Sequence, residues 1–306
     1  MIRKPNFFII GAPRCGTTAL SEYLRSNPRI GFSNPKETQF FATDFPNIRF
    51  VENEEDYLNK CFGHIQGNDY LAVGEASVWH LYSKFAVSEI LNYNPEAKFI
   101  IMIRNPFELV QALYEKQVEL HQEDCKTFEN AWNIQNERRN GHNIPKHCND
   151  VRLLMYADIG KLAQQIERVI NIVPHKQLKI INFDDFKNNT GEIYRSILEF
   201  LEVPDDGRDT FPRINEGQQV KFRLLYQELS LPNASLMKIV NVAKHIFGIE
   251  KLNVLPRLKK LFIKPRAKKP PISDLVRAEM QVQFQGEIVQ LSTILQRDFS
   301  HWLIKN

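Results

Sequence analysis

Up to about residue 205 the chain alternates short, almost unbroken apolar runs with stretches whose apolar residues recur at helical spacing. Asn6 to Ile10 (NFFII) is such a run, closed by Gly11, and reads as a strand buried on both faces. From Thr17 to Arg25 the apolar residues Ala19, Leu20, Tyr23 and Leu24 follow a helical period, and Asn27-Pro28 stops it. Lys98 to Ile103 (KFIIMI) and Leu178 to Phe183 (LKIINF) repeat the strand signature, beside helical patterns at Phe107 to His121 and Ile159 to Ile172. Tyr70 to Val73 predicts a fourth strand and the less apolar Arg29 to Phe32 a fifth. Strands alternating with helices predict an α/β protein, a P-loop-like parallel β-sheet flanked by helices on both faces.

With 306 residues, 43% of them hydrophobic and 25% charged, the chain has apolar material for a large core. No Gly/Ser-rich or Pro-rich linker divides the first 210 residues, so one domain over 1–306 is expected. The composition changes near Glu250: Lys251 to Lys269 holds eight Lys or Arg and no Asp or Glu, interleaved with leucines. That marks a basic insert at about 251–271, followed by a long C-terminal helix at about 273–296. Three roles for 251–269 stay open: a solvated face, a lid over an anionic acceptor, or a membrane-surface anchor making peripheral contact.

The four cysteines, Cys15, Cys61, Cys125 and Cys148, have no disulfide-framework or zinc-site spacing, so reduced thiols and no metal are expected. The apolar run after Met1 is too short for a signal or a membrane span, which predicts a cytoplasmic location. A net charge of +4, without nucleic-acid-binding signatures, suits an anionic small ligand better than a nucleic acid.

The strongest chemical signal is Gly11-Ala12-Pro13-Arg14-Cys15-Gly16-Thr17-Thr18, set between the first strand and the first helix. In that position main-chain N–H groups and the helix dipole bind phosphate; Arg14 adds a fixed cation, and Thr17 and Thr18 add hydroxyls. Against the nucleotide-kinase pattern GxxxxGK[ST], Thr17 replaces the lysine. The strand signature Lys98 to Ile103 leads into Arg104, a second cation at the sheet edge where open α/β folds bind ligands. Arg104 has two readings, a phosphate ligand helped by free N–H groups at Pro106, or a partner for Glu108 one helical turn on.

These residues resemble the family of sulfotransferases that use 3′-phosphoadenosine 5′-phosphosulfate (PAPS), in particular bacterial members and the Golgi heparan-sulfate type. The segment from Ile9 to Leu20 (IIGAPRCGTTAL) is similar to the family's 5′-phosphosulfate loop, Asn34 to Phe41 (NPKETQFF) to its glutamate-bearing segment, and Phe99 to Tyr114 (FIIMIRNPFELVQALY) to its 3′-phosphate strand and helix. Weaker agreement runs through Glu75-Ala76-Ser77, residues 178–204 and RDFSHWL near the C-terminus.

The resemblance implies an α/β enzyme transferring a sulfuryl group from PAPS, in line and without metal, to a hydroxyl or amine of a small-molecule, glycan or lipid acceptor. It implies that Arg14 meets the bridging oxygen, that Pro13 to Thr18, with Gly16, Thr17 and Thr18 foremost, hold the 5′-phosphate, and that Arg104 holds the 3′-phosphate. Glu37 would be the general base.

Three departures from the family pattern stand out. Ala112 occupies the place of a serine that binds the 3′-phosphate; Ala76 follows Glu75 where Golgi members often carry a lysine; and the glycine-rich basic loop near the C-terminus is replaced at best by Lys221 and Arg223. Each site residue has a plainer reading beside this one. Lys36-Glu37 reads as an exposed surface pair or as the base segment. His80, whose ordinary pKa suits proton transfer, is a rival base or a packed ring. Glu75 orders the site or simply ends a strand, and Trp79, Phe40 and Phe41 line an acceptor pocket or belong to the core. An ATP-dependent kinase and a non-catalytic membrane-surface module are the competing functions.

Overall fold

The computed structural model describes residues 4–67, 69–214, 218–220, 263–265 and 272–304. The chain divides into two compact units, one of residues 1–212 with 272–306 and one of residues 213–271. In the second, Gln218–Val220 pairs antiparallel with Ile263–Pro265, Val220 opposite Ile263. Lys221, Arg223 and almost all of the basic run 251–269 lie outside the described residues.

The first unit is built on five parallel strands: β1 (Phe7–Gly11), β2 (Ile30–Phe32), β3 (Ala72–Glu75), β4 (Lys98–Ile103) and β5 (Leu178–Asn182), in the order β2-β3-β1-β4-β5. Every residue of β1 is buried. Because successive side chains point to opposite faces, layers of protein must cover both faces of the central strand. The helices that do so include α1 (Thr17–Arg25), α2 (Glu54–Phe62), α3 (Ala86–Tyr93) and α4 (Pro106–Glu119). This is the parallel α/β architecture that the hydrophobic pattern predicts.

Differences from the predicted elements are local. The fourth strand lies two residues later than the apolar run suggests, over Ala72–Glu75, because pairing in register sets Gly74 and Glu75 opposite Phe7 and Phe8 of β1. The helical stretch from Ile159 to Ile172 is broken: Tyr156–Ile159 ends at Gly160, and a new helix runs over Leu162–Ile170. The backbone leaves the helical conformation at Lys161, whose ψ is 70°. Gly160 before it has no room for a side chain, because Phe284 of the C-terminal helix sits where a Cβ would go, 2.5 Å away. That last helix spans Asp274–Leu295 and buries Val276, Met280, Phe284, Ile288 and Leu291. Its buried Glu287 carboxylate accepts the N–H groups of Ala163 and Gln164 at 3.1 and 3.3 Å, so it caps the Leu162–Ile170 helix from outside.

Close packing of β3 on β1 sets a sharp limit. A Cβ at Gly74 would stand 2.4 Å from the carbonyl oxygen of Phe7 and 2.6 Å from its ring. Gly74→Ala is therefore expected to cost about 1–3 kcal/mol of stability by overpacking. Urea denaturation checks this, and an unchanged midpoint would show that the two strands have slack.

Candidate active site

The loop from Gly11 to Thr18 starts where β1 ends. Ala12 N–H donates to the carbonyl of Met102 in β4 at 2.8 Å, which ties the loop to the neighbouring strand. At the other end Gly16 has φ of 88°, a left-handed conformation suited to glycine, and the Phe183 ring lies 2.8 Å from where its Cβ would be. No side chain caps α1, so the N–H groups of its first turn remain for an anion. Thr17 is buried and Thr18 half-buried. The Cys15 thiol, pushed up to about 12 by burial, stays protonated and donates to the Pro13 carbonyl at 3.5 Å. Pro13 and Cys15 thus offer the site only main chain.

Arg14 is open to solvent at residue level, yet the protein atoms around its guanidinium lower its pKa by desolvation, with Glu119 pulling the other way. It remains a cation, as arginine does throughout the accessible range. Among the described residues none accepts a hydrogen bond from this guanidinium. Arg104 is differently placed. Its Nη1 donates to the Arg14 carbonyl at 3.3 Å, its Nε and Nη2 both donate to Glu108, and its plane lies over the Phe183 ring, 4.7 Å from the centroid. Both sequence readings of Arg104 meet here: it touches the phosphate loop while paired with Glu108. The first free N–H of α4 is taken, since Asn105 Oδ1 accepts from Phe107 N at 3.1 Å. Ala112 is buried in α4 and brings only a methyl group.

The segment bearing Glu37 hangs from the end of β3. Ser77 Oγ accepts the N–H groups of Thr38 and Gln39 at 3.0 and 2.9 Å, and Ala76 N–H donates to the Lys36 carbonyl at 3.1 Å. These bonds present Lys36 and Glu37 to the loop. Lys36 Nζ lies 2.9 Å from Glu37 Oε1 and 3.5 Å from Thr18 Oγ1, and Gln39 Nε2 donates to the other Glu37 oxygen at 3.1 Å. The carboxylate thus meets Lys36 and Gln39 rather than the aromatic rings after it. Phe41 is core, packed on Phe8, Tyr57 and Tyr93, while Phe40 stacks on Tyr57 at 4.4 Å and Trp79 packs against Ala42, Phe45 and Leu153.

Beneath this segment lies a buried polar group. The Glu75 carboxyl is fully buried and hydrogen-bonded to the Thr38 hydroxyl through one oxygen, and its other oxygen has no partner. The His80 ring is also fully buried, 3.7 Å from Glu75, and neither ring nitrogen has a partner. Burial drives His80 down to about 3 and Glu75 up to about 8, the hydrogen bond from Thr38 pulling Glu75 back only in part. A neutral imidazole beside a protonated carboxyl follows at neutral pH. The structure therefore brings Arg14, Arg104, Thr18 and Glu37 together, and sets His80 and Glu75 below them.

The comparisons bear on the family and the fold. A profile of the sulfotransferase domain matches residues 4–216. The chain belongs to that family.

Related sulfotransferases include mouse carbohydrate sulfotransferase 15, 23% identical over 249 residues covering 65% of this chain and 44% of that protein. Human bifunctional heparan sulfate N-deacetylase/N-sulfotransferase 3 is 24% identical over 206 residues, 66% of this chain and 22% of its own length. A shorter match, 27% over 104 residues, is to the membrane-associated sulfotransferase kil1 of Dictyostelium discoideum, covering 34% of this chain and 21% of that protein. The chain thus spans less than half the length of these relatives. A solved sulfotransferase from Alicyclobacillus acidocaldarius shares the fold, with a TM-score of 0.69 and 24% identity over 98% of this chain and 99% of that one. Membership of a sulfotransferase family leaves the kinase reading without support. No described helix is long and apolar enough to cross a membrane.

The hydroxyls of Thr38 and Ser77, which hold the Glu37 segment, are not singled out in the sequence. Glu75, read there as ordering the site or ending a strand, ends β3 and accepts from Thr38, its full burial being what the sequence does not show. Small hydroxyls in loops carry no periodic signal, and only pairing of β3 with β1 reveals that Glu75 is interior. The raised pKa of Glu75 has a stability consequence with a definite sign. The folded state holds this proton more tightly than the unfolded chain, whose carboxyl has an ordinary value of 4.5. The resulting stability is fully present below that value and is lost as pH rises toward about 8. His80, held near 3 against an ordinary 6.5, gives the opposite slope up to about pH 6.5. Thermal unfolding should therefore show stability falling chiefly between about pH 6.5 and pH 8, by on the order of 1–2 kcal/mol, and Glu75→Gln should flatten that fall. An unaltered slope in the variant would show that other groups set it.

Proposed function

We propose that this protein transfers a sulfuryl group from PAPS to a hydroxyl or amine of an acceptor, with Glu37 as the general base. The observation that carries the reading is the meeting of an uncapped helix N-terminus, two arginines and a carboxylate at one sheet edge, with Lys36 Nζ reaching both Thr18 and Glu37. Cations and N–H groups suit a phosphosulfate, and the carboxylate suits an acceptor proton.

In the proposed step, an acceptor oxygen or nitrogen attacks sulfur as the bond from sulfur to the 5′-phosphate oxygen breaks, and the bond's electron pair stays on that oxygen. Arg14 and the N–H groups at Thr17 and Thr18 stabilise the charge that builds there, typically a few kcal/mol for one such donor. Glu37 takes the acceptor proton. Loose transition states of this kind depend on positioning and charge more than on covalent help from the protein. Arg104 serves the 3′-phosphate, which requires Glu108 to yield its place on the guanidinium.

Names of relatives point to carbohydrate and heparan sulfate acceptors, so a glycan hydroxyl or amine heads the acceptor panel, followed by lipid and small phenolic acceptors. Incubation with PAPS and that panel, read by the mass added to each acceptor, tests the function directly. Three substitutions test the roles. Arg14→Ala should lose most turnover at saturating PAPS. Arg104→Ala should chiefly weaken calorimetric binding of the product 3′-phosphoadenosine 5′-phosphate (PAP). Glu37→Gln should slow transfer by about 10²–10⁴-fold with PAP binding kept. A normal rate for Glu37→Gln beside an inactive His80→Ala would move the base to His80.

A further inference from the structure

Lys36 has features that a solvated surface lysine lacks. Its side chain is only 15% exposed, although long charged side chains normally stay in water. Its main-chain carbonyl accepts twice, from Ala76 N–H at 3.1 Å and from the Ser33 hydroxyl at 3.1 Å, so its Cα is fixed from both sides. Its ammonium ends between the phosphate loop and the proton acceptor, 3.5 Å from Thr18 Oγ1 and 2.9 Å from Glu37 Oε1. An ammonium carries three donors and no acceptor, so beside Thr18 and Glu37 it can serve one anionic oxygen more. Arg14 and Arg104 approach from the loop and from the end of β4, whereas Lys36 comes from the segment after β2, tied by its carbonyl to Ala76 just past β3.

We propose that Lys36 is a further catalytic residue, a third cation that donates to the 5′-phosphate oxygens of the nucleotide while they gain charge. The proposal rests on the reading of the protein as a PAPS-dependent enzyme. In the step, the sulfur–oxygen electron pair passes to the phosphate oxygen, the acceptor proton passes to Glu37, and Lys36 stays protonated throughout. Its ammonium shifts from Glu37 toward the phosphate, so one side chain links leaving-group stabilisation to release of the base.

The test uses the full chain with Lys36→Ala and Lys36→Arg, both confirmed folded by their melting curves. PAPS turnover to PAP, with water or 4-nitrophenol as acceptor, gives the rate at saturating nucleotide. Phosphorus NMR of bound PAP reads the two phosphates separately and needs no acceptor. Lys36→Ala should slow turnover by on the order of 10²-fold, Lys36→Arg should regain at least a tenth of the wild-type rate, and the alanine variant should move the 5′-phosphate resonance and leave the 3′-phosphate resonance in place. A 5′-phosphate resonance unmoved by Lys36→Ala would overturn the proposal, whatever the rate, because a lysine that merely braces the loop does not touch the phosphate. Where alanine unfolds the chain, Lys36→Gln replaces it with the same two outcomes. If PAP fails to bind the wild-type protein, the proposed function itself falls, and the role of Lys36 with it.

Discussion

Parallel pairing of β1 between β3 and β4 forces three strand ends onto one edge of the sheet, and every group in the site is placed by one of those ends. β1 delivers the loop from Gly11 to Thr18, β3 delivers Ser77 and through it the Lys36–Glu37 segment, and β4 delivers Arg104. The edge is held by main-chain bonds between strands, such as Ala12 N–H to Met102 O, so the charged side chains need not define the backbone. This separation matters because charged groups that must exchange partners on binding are poor structural ties, whereas buried main-chain bonds are costly to leave unmade.

The support beneath the site is polar where an apolar core would be more stable. Glu75 and His80 are both fully buried, and unpartnered atoms on Glu75, His80, Tyr57 and Tyr93 occur in the same aromatic layer around Phe41. Burying such groups without partners costs about 1–3 kcal/mol each. Protonation of Glu75 and neutrality of His80 remove the worst part of that cost, the isolated charge. What the arrangement gains is direction, since the hydroxyls of Thr38 and Ser77 fix the segment that carries the carboxylate. Polar groups specify a geometry more sharply than methyl groups do.

Much of this was legible in the chain. Continuous apolar runs identified β1, β4 and β5 to within a residue, because a strand buried on both faces has no polar alternation to obscure it. The loop from Gly11 to Thr18 and the cation Arg104 were visible as residue types at strand ends. Legibility failed where tertiary pairing decides. β3 ends in Gly-Glu, which no hydrophobic pattern includes, and the glycine at 160 is required by Phe284, more than a hundred residues later, which occupies the space of its missing side chain. Exposure was misjudged for the same reason: Lys36 reads as a surface lysine until Ala76 and Ser33 fix its carbonyl and Thr18 comes within reach.

On the proposed function, charge balance explains how the protein can fold with these charges paired among themselves and still bind a polyanion. In the free protein Lys36 faces Glu37 and Arg104 faces Glu108, with side chains between about a seventh and a half exposed. Ion pairs with that much solvent contribute roughly 0.2–1 kcal/mol, so giving them up is a small loss. Phosphate oxygens bound by guanidinium, ammonium and helix N–H groups offer shorter, charge-assisted bonds about twice as strong as neutral ones. On the proposed function, exchange of partners therefore runs toward the nucleotide. On the proposed function it also frees the Glu37 carboxylate from its lysine only once a leaving group is in place, which keeps proton acceptance and bond breaking in step.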